Sequence, residues 1–515
     1  MQLLSLILTV IVLSSSVAQA EIRTITATGE YRMGDHDTRA DAKRMALQDA
    51  KRLALEKAGT YIESITEVKN FLLSNDEVRA YTAGIVEVME QEARSTMEGQ
   101  QQIVRVDVIC KIDTDVVARQ IDTLRENEIA KMEFLQARQE TDRLRKELDA
   151  RTRELAAVTS KTEAETIAQA RRKALTGQDV NSLLARAWVA LAGSSKIFDP
   201  GFSSSEGRRH ARNLIEQALA LDASNPYVHR TMGLLLFEEG DKNGAIAEYR
   251  TAIRLEPDHY QAHIGLGVAL RNKGDLEGAI AEYRTAIRLK PDHATPHTNL
   301  SFALRAKGDL EGAIAEARTA IRFEPDDVGA HTNLGLALQD KGDLEGAIAE
   351  ARTAIRLKPD YPNAHNNLGM AFKAKGDLEG AISEYRTAIR LKPDHPSPHH
   401  NLGLALQAKG DLEGAIAEYR TAIHLKPDYV GAHNDLGNAL KAKGDLEGAI
   451  AEYRTEISLK PDYARAHYNL GSALKAKGRR VEAAQEFREY LRLAPDTPVH
   501  RPWIEKARAL LREIE

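Results

Sequence analysis

The chain has 515 residues, 43% of them apolar, with 71 basic against 76 acidic side chains and a formal net charge of −5. That balance lacks the basic excess on which phosphate-backbone binding depends, which argues against nucleic acid as a partner. A single cysteine excludes an internal disulfide framework.

Residues 1–20 read as an export signal: an apolar run over 3–13, serines at 14–16, and Ala18-Gln19-Ala20 as a cleavage site flanked by small residues. Cleavage there leaves Glu21 first and predicts a periplasmic location. Met1-Gln2 contribute no Lys or Arg, so a retained anchor is the alternative, although the run is shorter than the roughly 20 residues that span a bilayer. No other segment is apolar enough to cross, so no integral membrane span is expected after cleavage.

Residues 21–115 are predicted to form a separate small α+β domain. Alternation over 22–31 predicts a strand, Asp37 is placed to cap a helix over 38–57, and Gly59 follows as its stop. Strands over 85–97 and 102–112 flank a Glu98-Gly99-Gln100 turn, with Cys110 on the buried side of the second. Gly29-Glu30-Tyr31, Asp41-Ala42 and the alanine-rich helix make the segment similar to the N-terminal domain of flagellar-assembly protein T and related envelope lipoproteins. That resemblance implies an envelope location and docking rather than catalysis.

Residues 116–180 carry long charged side chains and predict a helical spacer, continuous over 116–175 and roughly 90 Å long at full extension. Leu144, Leu148, Leu155 and Val158 fit a coiled-coil seam that Arg151 interrupts, which makes the spacer a candidate for homodimerisation. Residues 181–225 contain a degenerate copy of the unit that recurs beyond residue 225, marked by Ala211, Ile215, Ala218 and Leu221.

Over 226–497 nearly the same segment recurs eight times at a period of 34 residues. A period in that range describes one helical hairpin that buries its apolar face only against its neighbours. In one copy Ala262, Leu266, Ala269 and Leu270 mark a first helix that Gly274 ends, and Asp275 is placed to cap the second. Leu276, Ala279, Ile280, Tyr283, Ala286 and Ile287 line that second helix, which stops before Pro291. Residues 498–515 predict a capping helix with Ile504, Ala507, Leu510 and Leu511 on one stripe.

The pattern His263, Leu266-Gly267, Leu270, Ala279, Tyr283, Ala286 and Pro291 resembles the tetratricopeptide repeat. The resemblance implies a mostly α fold, a right-handed α-solenoid of helical hairpins, preceded here by the α+β domain and the spacer. Ser301 departs from the small glycine, Ala317 and Ala351 from the aromatic, and Glu456 from alanine. The two missing aromatics fall in consecutive repeats and predict looser packing mid-array.

Histidines recur at 229, 263, 297, 331, 365, 399, 433 and 467. Stacked hairpins hold equivalent atoms about 10 Å apart, too far to share one ion, so these are packing residues and no metal or other cofactor is expected. His36 has the better local ligand set, but Asp37 beside it is already assigned as a cap. No phosphate loop, Gly-x-Ser-x-Gly elbow or His-Glu-x-x-His pair occurs, so no catalytic residue is assigned and an enzyme is not expected.

Asn299, Asn333, Asn367, Asn401 and Asn469 form a second ladder, with Asp435 its exception. It resembles the concave amide ladder in the repeats of O-linked N-acetylglucosamine transferase, which implies pairing with peptide units; bonding within the array is the alternative. Arg271, Arg305, Lys373, Lys441 and Lys475 would form a basic rim beside it. The reading is an exported scaffold that binds an extended protein segment with apolar and acidic side chains in its groove. A self-associating assembly factor and a cell-wall polymer or glycan accessory are the alternatives.

Overall fold

The alternation in β3 (Gln101–Asp113) buries Val104, Val106, Val108, Cys110 and Ile112 on one face of a three-stranded antiparallel sheet. The strand order is β1-β3-β2, with β1 at Ile22–Arg32 and β2 at Val88–Glu98. Helix α1 (Arg39–Val68) lies on that face through Ala42, Ala46, Ala50, Ala54 and Ala58, all fully buried. Alanines every fourth residue give the helix a nearly flat side, and it settles directly on Gly29: a Cβ there would lie 2.1 Å from the Ala46 carbonyl oxygen. Packing on the sheet carries α1 through Gly59, where the sequence predicted its end.

The chain is described from a computed structural model over residues 22–68, 86, 88–113, 117, 128–158, 160–192 and 205–514. The predicted export signal and the first part of the spacer lie outside these residues. The chain divides into two units, Met1–Asp275 and Leu276–Glu515.

In the front unit the predicted continuous spacer is instead a hairpin of α2 (Glu128–Ala157) and α3 (Lys161–Ala192). Leu144 sits against Gly177, and Leu155 clusters with Ala164 and Ala168. The leucines of the candidate coiled-coil seam find their apolar partners in the same chain, which an extended helix would leave in water. The α+β module is not separate either. Arg171 of α3, 1% exposed, pairs with Asp37 and donates to the Tyr31 hydroxyl at 3.0 Å, while Arg172 forks onto Asp41 with two 2.8 Å bonds. Asp37 is thereby committed to the guanidinium, and the cap of α1 falls to Thr38, whose Oγ1 accepts from the Asp41 amide at 3.1 Å.

The C-terminal half of α3 and α4 (Ser205–Leu221) form the degenerate hairpin; α5 (Pro226–Glu238), α6 (Lys242–Leu255) and α7 (Tyr260–Lys273) complete the unit. The rear unit opens with Leu276–Leu289. Six first helices follow, from Ala294–Lys307 to Ala464–Ala476, each with its second helix, and Arg501–Ile514 closes the unit. Ala507 of that last helix is fully buried, with Ile504, Leu510 and Leu511 packed around it.

Three local devices repeat through this unit. The first helix ends at a left-handed glycine, as at Gly376 (φ 89°), and the next aspartate caps the second helix, as Asp377 accepts from the Gly380 amide at 2.9 Å. Where the second helix carries tyrosine, the first must carry glycine: a Cβ at Gly369 would lie 2.7 Å from the Tyr385 ring, and at Gly403 2.6 Å from that of Tyr419. Ala317 removes the ring, so Ser301 fits opposite it and donates to the Ala313 carbonyl at 2.7 Å. In the next repeat Ala351 faces Gly335, nothing fills the gap, and a small cavity lined by Gly335, Ala347 and Ala351 remains. The looser packing predicted mid-array is thus confined to one of the two repeats.

The third device is a clasp on the recurring histidine. In six rear repeats its Nδ1 lies 2.6–2.7 Å from a second-helix glutamate, as in His331 with Glu350, and Nε2 lies 2.9–3.2 Å from the carbonyl of the preceding proline. Both ring nitrogens face acceptors, and each can donate to its own acceptor only when the ring carries both protons. The carboxylate bond, against burial and with help from the proline carbonyl, lifts His331, His399, His433 and His467 above the ordinary imidazole value. At His297 burial is the largest influence and works downward, but Glu316 and Pro291 together outweigh it.

Candidate functional site

In the rear unit neighbouring first helices touch one another and neighbouring second helices make no comparable contact. First helices therefore line the inside of the curve, and their outward-turned positions form its concave face. The predicted amide ladder lies there, half-buried. Three of its members are engaged by the preceding repeat: Asn333 Nδ2 donates to the Thr298 carbonyl at 3.0 Å, Asn401 to Asn366 Oδ1 at 2.9 Å, and Asn469 to Asn434 Oδ1 at 2.8 Å. For these the alternative of bonding within the array describes the geometry. Asn299 and Asn367 make no such bond among the described residues, and Asn367 borders the cavity left by Ala351.

The basic rim is equally divided. Arg305 pairs with Asp340 at 2.6 Å and Lys475 with Glu513 of the last helix at 2.6 Å. Lys373 and Lys441 form no ion pair among the described residues. Both are half-buried, and burial holds their ammonium groups below the usual lysine range; the Asp435 carboxylate partly offsets this at Lys373, and the Lys506 charge deepens it at Lys441. Between these two lysines in sequence, His400 pairs with Asp435 at 2.9 Å and Tyr419 donates to Gln407 at 2.8 Å. The Tyr385 hydroxyl, for which Lys373 replaces that glutamine, is buried without a partner among the described residues. The rear face thus has donors in excess of acceptors around Lys373.

Arg271 belongs to the front unit, where α2 takes up the first-helix face of the opening repeats: Glu133 pairs with Arg230 of α5 at 2.7 Å, and Gln261 of α7 donates to Gln136 at 2.8 Å. The chain's own helix thus covers first-helix positions there, which sequence reasoning missed because the spacer was expected to be extended. The glutamates of the histidine clasp were also missed, although they recur with the same period of 34 as the histidines.

Three tetratricopeptide-repeat profiles match the chain, described as "Tetratricopeptide repeat" over residues 230–294 and 464–497 and as "TPR repeat" over five segments within 302–478. Together they take in just over half of the chain. The chain belongs to the tetratricopeptide-repeat family. Solved structures similar to it include the crystal structure of MamA, 28% identical, covering 31% of this chain and 94% of that one with a TM-score of 0.30. TTC0263, a tetratricopeptide protein of Thermus thermophilus, is 23% identical, covering 35% of this chain and 99% of its own with a TM-score of 0.33. A tetratricopeptide repeat protein from Parabacteroides merdae ATCC 43184 is 16% identical over 50% of this chain and 98% of its own, with a TM-score of 0.38. No curated protein matches.

Tetratricopeptide arrays are generally non-catalytic protein-interaction scaffolds, and the repeated carboxylates here serve as caps and clasps. Among the described residues no cluster of three His, Cys, Asp or Glu side chains could hold a metal ion, and no helix is long and apolar enough to cross a membrane.

Proposed function

We propose that the chain is an exported, non-enzymatic scaffold of the cell envelope whose rear unit holds an extended, partly acidic segment of a protein partner along its first-helix face. The observation that carries this reading is the pair Lys373 and Lys441, two half-buried ammonium groups without ion-pair partners among the described residues. A cation held partly out of water and in no direct ion pair favours an incoming carboxylate. Asn299 and Asn367 add free carboxamides, each able to accept from and donate to a peptide unit whatever its side chain. Rungs about 10 Å apart meet an extended chain once in about three residues. The export-like segment at 1–20 supports an envelope location, as does the likeness of the N-terminal module to that of flagellar-assembly protein T.

The test is cross-linked capture from an envelope extract by the full chain and by Lys373→Glu/Lys441→Glu. A several-fold loss in the variant, with an acidic segment recovered by the parent, supports the reading; unaltered capture sinks it. Recovery of a wall polymer without protein would move the assignment to a polymer-binding accessory.

A further inference from the structure

In four consecutive second helices of the rear unit, from Leu276–Leu289 to Leu378–Leu391, two exposed arginines stand four residues apart. They are Arg284 and Arg288 in the first helix, with counterparts every 34 residues up to Arg386 and Arg390. None of the eight forms an ion pair or a hydrogen bond among the described residues. Seven carboxylates that share these helices are turned elsewhere. Glu277, Glu311, Glu345 and Glu379 each reach a lysine of the next repeat at 2.5–3.2 Å, and Glu316, Glu350 and Glu384 hold clasp histidines. Like charges four residues apart on a helix repel, so the fold leaves two parallel rows of unneutralised guanidinium groups on its outer face. The rows are bounded: His424 takes the place of the second arginine in the next helix, and Arg454 of the helix after it pairs with Glu482 at 3.0 Å.

We infer that this face binds a flexible polymer of linked phosphates that carries no bases, its phosphates spaced along the arginine rows. Each guanidinium presents a planar fork of donors, and a tetrahedral phosphate, with oxygens on more than one side, can be gripped by the two arginines of a rung together. First helices touch and second helices fan apart, so the rows follow an outward curve. A flat bilayer would meet one or two rungs at a time, whereas a flexible chain can follow all four. Among these helices Phe323 is the one large apolar side chain that is exposed, which leaves neither the apolar centre of a protein interface nor a run of rings on which bases could stack. The net charge of −5 averages the whole chain and does not describe this face. The rows lie on second helices, so the assignment stands whether or not the first-helix face holds a peptide.

The probe is long-chain sodium polyphosphate, titrated calorimetrically against the full chain at low salt. Saturable binding is expected, weakening steeply as salt is raised. Arg284→Gln/Arg318→Gln/Arg386→Gln removes three exposed members of one row that have no partner among the described residues. Its melting temperature should stay parental, while its affinity falls about tenfold or more and its salt dependence flattens. Lys373→Gln/Lys441→Gln, which removes charge from the first-helix face instead, should bind polyphosphate as the parent does. Polygalacturonate, a polymer of carboxylates, should bind several-fold more weakly, as should oligothymidylate and vesicles of phosphatidylglycerol. No saturable binding, undiminished binding by the triple variant, a loss seen only in the lysine variant, or a competitor that matches polyphosphate would overturn the assignment.

Discussion

Glu456 occupies a position where the six preceding repeats carry alanine, each of them fully buried. It is itself 0% exposed, and neither carboxylate oxygen has a hydrogen-bond partner among the described residues. Burial, reinforced by the nearby Asp435 carboxylate, pushes its pKa from 4.5 up to about 7. The unfolded carboxyl ionises from about pH 4.5 upward while the folded one stays neutral until about pH 7, so stability falls across that window and remains lower above it. A separation of about 2.5 pH units, at about 1.4 kcal/mol each, amounts to ~3.5 kcal/mol once the folded carboxyl is fully ionised. Glu456→Gln keeps the volume and cannot ionise, so its advantage over the parent should be near zero at about pH 4 and reach ~3 kcal/mol at about pH 8. The assay is urea unfolding followed at Trp503, whose ring lies 5.4 Å from that of Tyr468 in the adjoining repeat. Clasps remote from Glu456 cancel in the comparison, whereas His433, whose charge interacts with the Glu456 carboxylate, contributes to the difference being measured. An advantage that is the same at both pH values would refute a carboxyl held neutral by burial.

The clasp has a pH dependence of its own. Because the histidine pKa is raised by folding, its stabilisation is full below the ordinary imidazole value and is lost as pH rises through the folded one. Glu350→Gln should therefore destabilise the rear unit more at about pH 5.5 than at about pH 8.5, read by urea midpoints. Gly369→Ala, which drives a methyl into the Tyr385 ring, should cost about 1–3 kcal/mol, whereas Gly335→Ala, opposite Ala351, should cost little; thermal melts separate the two. Arg171→Met strands Asp37 in a buried site and loosens α3 from the N-terminal module. Labelling of Cys110, fully buried in the native sheet, should then accelerate about a hundredfold or more.

The period of 34 and the spacing within it determined the hairpins, their caps and their small-residue contacts, because each is decided by neighbours close in sequence or one repeat away. The alternation at 104–112 and the alanines of α1 likewise announced a sheet with a helix on it. The candidate site was legible as a set of positions and not as a set of free groups. Asn333 looks like Asn367 in the sequence, and only the preceding repeat's backbone determines that one amide is engaged and the other open. Tertiary structure alone decided that the spacer folds back, since the leucines of α2 could meet either a second chain or α3, and a connection of only three residues, 158–160, made the nearer partner available. It also decided that Asp37 neutralises Arg171 rather than capping α1, and that α2 lies over Arg230. These pairings join residues about a hundred or more apart, where no periodicity constrains which charge meets which.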